Sequence, residues 1–186
     1  MRRRAPRITF DEIEHEIKDS ILLCALKIAM YYPNSFVKYS EYGIDETLAA
    51  LFRSIGLKSD LGDLEKSEVR AQFFEEARMA YERVVADGTR IVFPKTLENN
   101  IQKLSRAIKL SRTEAILLKF AVLLHFYDEM STITVMAGNE LNTKQAVRLL
   151  SILLDEDANE IKTALNRESR LSMSGLLRID SYNRQL

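Results

Sequence analysis

The chain has 186 residues, enough for one compact domain or two small ones, and its 46 % apolar content excludes a disordered tract. Lysine and arginine number 27, as do aspartate and glutamate, so the whole molecule has no net electrostatic pull toward nucleic acid or an acidic membrane surface. A single cysteine, Cys24, excludes an internal disulfide framework and fits a reducing compartment.

The opening segment, MRRRAPR, is basic and expected to fray. No secretory signal pattern follows it, because acids and a histidine interrupt Phe10 to Ile17. Thr9 and Glu12 suit a capping box for a first helix carrying Ile13, Ile17, Ile21, Cys24 and Ile28 on one side. From Ile21 to Tyr32 that helix is apolar nearly all round, which places it at the centre of the fold. Pro33 and Asn34 are expected to stop it. His15 begins HEIKD, which lacks the second histidine of a zinc-protease helix, so it reads as a surface residue.

Residues 35–43 read as a polar loop. Asp45 then caps a short helix bearing Leu48, Leu51, Phe52 and Ile55, closed by Gly56. The LKSDL stretch between Gly56 and Gly62 has no following Lys-Ser/Thr, so it reads as a linker and not a phosphate-binding loop. A long helix is expected from Asp63 to about Ala86, with Val69, Phe73, Ala77, Ala80 and Val84 as its buried stripe. Phe73 and Phe74 read as core and not as a ligand box. Thr89–Phe93 is strand-like, Pro94 suits a helix start, and Leu97, Ile101, Leu104 and Ile108 mark an amphipathic helix.

Ser111 and Glu114 form the clearest capping box, ahead of the run AILLKFAVLLHFY, which should be buried on several sides with Lys119 snorkelling. His125 falls near its rim. MSTITVMAG is ambiguous between strand and helix. Asn142 with Gln145, and Asp157 with Glu160, start two further helices carrying Ala146, Leu149, Leu150 and Leu153, then Ile161, Ala164 and Leu165. SMSG ends the second, and Leu176, Leu177 and Ile179 suggest a strand.

The fold class expected is therefore all-α, a mainly helical bundle of about eight helices, ending in a winged-helix-like helix-turn-helix-strand unit. Short strands are expected near Ile91–Phe93 and Leu176–Ile179. The expected division is 1–93, an N-terminal helical region, and 94–186, a helical, winged-helix-like region.

Three pieces stand in series: SRTEAILLKFAVLL, LNTKQAVRLLSILLDEDANEIKTAL and SRLSMSGLLRID, with a gap after the first. Together they resemble the helical region that precedes the ATPase core in a group of bacterial AAA-family ATPases. The residues that carry the resemblance are Ser111, Glu114, Leu149, Leu150, Leu165, Leu171, Gly175, Leu176 and Leu177, within roughly 94–180. It implies a non-catalytic recognition or assembly domain that recruits a protein partner or substrate to a ring ATPase. The ATPase core would follow Asp180; no Gly-x-x-x-x-Gly-Lys loop occurs in this chain, so no catalytic residue is carried over. No cofactor or metal is expected, and the location expected is cytoplasmic.

The alternative is a winged-helix DNA-binding regulator. Asn159–Arg167 would be its reading helix, and Lys162, Arg167, Arg170 and Arg178 its contacts to phosphate. Against it, Asp155, Glu156, Asp157, Glu160 and Glu168 crowd the same stretch, and residues 142–186 hold about seven basic against six acidic side chains. A third reading, a helical enzyme, would draw on Glu14, Glu16, Asp19, Glu75 and Glu76, all on faces where a charged helix surface is expected.

Overall fold

The structure, a computed structural model, describes residues 15–40, 46–138 and 141–177. Every regular element among them is helical, which agrees with the all-α class but not with the two short strands expected. The chain separates into two units: Met1–Val92 with Phe126–Asn139, and Phe93–His125 with Glu140–Leu186. The segment at Phe126–Asn139 thus goes with the first unit and not with the helices that flank it in sequence.

In the first unit, α1 (His15–Tyr31) is the central element. Ile17, Ile21, Leu23, Cys24, Ala25, Leu26, Ile28 and Ala29 are all buried. It packs against α4 (Ser67–Ala86), α7 (Asp128–Val135) and α2 (Pro33–Ser40). No single described helix is long and apolar enough to cross a membrane. The α1–α2 pair passes by length and composition alone, and it is bent by 108° at the break.

The loop expected at residues 35–43 is a helix over its described part. Pro33 does end α1, but it also opens α2, because a ring that lacks an N–H costs nothing at a first helical position. Phe36 anchors that helix. Its ring stacks on Phe73 at 5.3 Å and meets Phe52 edge-on at 6.0 Å, joining α2 and α3 (Glu46–Ser54) to α4. Phe73 and Phe74 are in this aromatic core, as their spacing suggests. Asp45, the expected cap of α3, and the Thr9–Glu12 box lie outside the described residues.

Gly56 closes α3 at φ +90°, with its N–H on Arg53 O and the Leu57 N–H on Phe52 O, the paired bonds that a left-handed residue allows. The stretch that follows is no idle linker, since Leu57, Leu61 and Leu64 are buried. The Glu76 carboxylate of α4 gathers it, accepting from Lys58 N at 2.8 Å, Ser59 N at 3.1 Å and Ser59 Oγ at 3.1 Å. That compaction moves the start of α4 to Ser67, after a 3-10 turn at Leu61–Asp63.

Neither expected strand is found among the described residues. Ile91–Phe93 is irregular, and Val92 bonds to a side chain instead of a neighbouring strand: its N–H donates to Ser20 Oγ at 3.0 Å. The ambiguous MSTITVMAG stretch is mostly α7. Met130, Ile133 and Ala137 are buried at spacings of three and four, and this packing overrides the strand preference of its threonines, isoleucine and valine.

The second unit contains α5 (Lys95–Ile108), α6 (Arg112–Phe126), α8 (Thr143–Leu154), α9 (Ala158–Ala164) and α10 (Arg170–Met173). Its core is Ile101, Leu117, Leu118, Val147, Ile161, Ala164 and Leu171, with Leu150, Leu165 and Leu177 packed against it. The strand that a winged helix needs is absent from the described part: Leu176 and Leu177 form a bend after Gly175, which adopts φ +71°. Arg178 and Ile179 lie outside the described residues. The reading helix expected at Asn159–Arg167 is also shorter. It ends at Ala164, and a separate turn of helix, α10, holds Arg170 and Leu171.

Candidate functional site

A cleft of about 780 Å³ opens in the second unit, lined by the start of α6 and by α9, α10 and the turn between them. Helix caps build it. Ser111 and Glu114 form the expected box: the Glu114 carboxylate accepts from Ser111 N at 2.7 Å, and Ser111 Oγ accepts from Glu114 N at 3.2 Å. Glu114 is only 5 % exposed, and its other oxygen crosses to α10, accepting from Leu171 N at 2.9 Å. One carboxylate therefore caps two helices that lie 57 residues apart in sequence.

Its neighbours also reach across. Thr113 Oγ1 donates to the Glu160 carboxylate of α9 at 2.7 Å, and Arg112 pairs with Glu156 at 3.1 Å. Arg112, Thr113 and Glu114 thus bind the first turn of α6 to the turn before α9, to α9 and to α10 in succession. Burial pushes the Glu114 carboxyl upward. The N–H donors of Ser111, Leu171 and Arg170 and the Ser111 hydroxyl outweigh it, and the net displacement is below the ordinary carboxylate range.

The other caps follow the sequence in part. Asn142 and Gln145 close a full reciprocal box on α8. Asp157 caps α9 by accepting from Asn159 N at 2.8 Å and Glu160 N at 3.1 Å. Glu160 does not reach back, because Thr113 engages it. Ser169 caps α10 by accepting from Ser172 N at 3.1 Å.

Of the four cations nominated from the sequence, only Arg170 lines the cleft. Lys162 and Arg167 are exposed elsewhere, and Arg178 lies outside the described residues. Arg112 is the basic residue that the sequence reading missed. The signal was three consecutive polar residues directly behind a capping serine, at the mouth of an otherwise apolar helix. Glu160 and Glu168 share the wall with the two arginines, so the surface is of mixed sign.

Two of the acids named for an enzyme, Glu75 and Glu76, are engaged in separate structural contacts. Glu75 pairs with Arg78, which holds its carboxyl below the ordinary range, and Glu76 anchors the Leu57–Leu64 stretch. Glu14 lies outside the described residues. Among the described residues no group of three His, Cys, Asp or Glu side chains could hold a metal ion.

Comparison of the chain with protein-family models, with curated proteins and with solved structures finds no match.

Proposed function

We propose that the chain is a recognition and assembly domain that performs no chemistry itself and works with a bacterial AAA-family ATPase core, meeting its protein partner through the cleft of the second unit. One observation carries this reading. The residues on which the resemblance rests are scattered over some sixty positions of sequence, yet six of them, Ser111, Glu114, Leu150, Leu165, Leu171 and Leu177, meet around one joint. Glu114, boxed with Ser111, holds α10 through the Leu171 N–H, while Leu150, Leu165 and Leu177 pack against the core that contains Leu171. A pattern with that physical cause supports kinship of design over chance spacing.

The cleft suits a protein surface of mixed charge. Polar side chains line it, and Glu168 and Arg170 stand at its edge with no ion pair between them or to other described residues. The test is affinity capture of the tagged chain from its native cells, followed by measurement of ATP hydrolysis in the eluate. Turnover in the eluate and none by the purified chain is the expected result. Hydrolysis by the purified chain, or an eluate without ATPase activity, overturns the proposal.

A DNA-binding regulator is the second reading, favoured by one feature: α8 and α9 join through the three residues Asp155, Glu156 and Asp157, a helix-turn-helix spacing. Charge opposes it. The α9 N-terminus, the end that would face phosphate, already has Asp157 as its cap and Glu160 in its first turn. Duplex affinity that falls steeply with salt, and falls further with Lys162→Ala and Arg167→Ala, would favour this reading over the first.

A further inference from the structure

We propose that a groove in the first unit, lined by α2 and the start of α4, takes an acidic peptide segment with an apolar side chain from a partner protein. This rests on the recognition role above and names the chemistry it would read.

The groove is about 760 Å³ and open to solvent. Two helical faces form it: Pro33, Val37 and Lys38 from α2, and Arg70, Ala71 and Phe74 from α4. Its charge is one-sided, for Lys38 and Arg70 line it and no carboxylate does. Both are exposed, and neither forms an ion pair with another described residue. On the same unit Lys66 pairs with Asp63, Arg53 with Glu46, and Arg78 with both Glu75 and Glu82. Glu68, the acid in the first turn of α4, does not line the groove.

Two further features complement an anion that carries an apolar group. Lys66 provides no side-chain cap to α4, so that helix presents its positive end uncovered beside Arg70. Phe74 is half-buried, with its ring edge-on to Phe73 at 5.3 Å, and it gives the groove a fixed apolar wall backed by the aromatic core. A bare anion would leave that wall in water. An apolar peptide without acids would bring no carboxylate to the two cations that line the groove. An acidic segment with one Phe, Leu, Ile or Met satisfies both.

The test uses the full chain and a fluorescein-labelled pool of hexapeptides rich in Asp and Glu, each with one Phe, Leu, Ile or Met, read by anisotropy. Saturable binding is expected, weakening about tenfold in the Lys38→Glu, Arg70→Glu double variant and again with added salt. Amide shifts at Ser67–Phe74 on titration would place the peptide in this groove. Both substituted side chains are exposed, and an unchanged helical circular dichroism spectrum keeps the variant interpretable. The proposal is overturned by no binding from the pool, by equal affinity for a Lys-substituted pool, by an unaffected double variant, or by inorganic phosphate displacing the peptide at similar concentration. Any of these, with ATPase capture intact, removes this site and leaves the recognition role standing.

Discussion

Among the described residues two besides glycine adopt the left-handed conformation, and both end helices: Lys109 at φ 59° after α5 and Asp155 at φ 53° after α8. A side chain with a Cβ is strained there by about 1 kcal/mol, less for aspartate than for lysine. Lys109→Gly is therefore expected to raise stability by about 0.5–1 kcal/mol in urea unfolding, with the smaller gain at Asp155→Gly. Glu114 behaves in the opposite way. Glu114→Ala leaves the N–H groups of Ser111 and Leu171 without their acceptor, at a cost of about 2–4 kcal/mol. Its carboxyl is displaced downward on folding, so the stability it contributes is fully present above the ordinary carboxylate range and is lost as pH falls through the folded value. Glu76, held down by Gln72, Lys58 and Ser59 against its burial, adds to the same acid-side loss. Glu114→Gln should flatten the fall in stability on the acid side of the ordinary carboxylate range, measured by urea midpoints across pH.

Among the elements, α2 shows what the sequence left hidden. A proline after a long apolar helix signals a stop, and the polar residues beyond it suggest a loop. The decisive fact is tertiary, because Phe36 has partners on α3 and α4 that no local window contains. Phe36→Ala is expected to cost about 3–5 kcal/mol and to reduce protection of the α2 amides in hydrogen exchange, while the second unit stays protected. The strand expected at Ile91–Phe93 failed for a related reason: β-branched residues supply the propensity, but Ser20 satisfies Val92 where a ladder would have. Capping was far more legible. The Ser111–Glu114 and Asn142–Gln145 boxes were readable because both partners sit three residues apart, within one turn of chain. The second task of Glu114, at Leu171, was not readable, since nothing local to Glu114 encodes α10.

For the whole molecule, helical periodicity makes the mainly helical class legible, and every regular element among the described residues is helical, whereas the division into units depends on contacts that join α7 to α1. The candidate site was half legible. Its framework appears in the series that starts at Ser111, but of the proposed contact residues only Arg170 lines the cleft, because the chain breaks α9 at Ala164 and turns before α10. Under the two proposals the units do different work: the first would take an acidic peptide in its groove, and the second would meet an ATPase through its cleft. Hydrogen exchange on the chain with and without the ATPase captured from its native cells tests this most directly. Slowed exchange at Asn159–Arg170 and at the first turn of α6 is what the account predicts. Unchanged exchange throughout the second unit in the presence of that ATPase would contradict it.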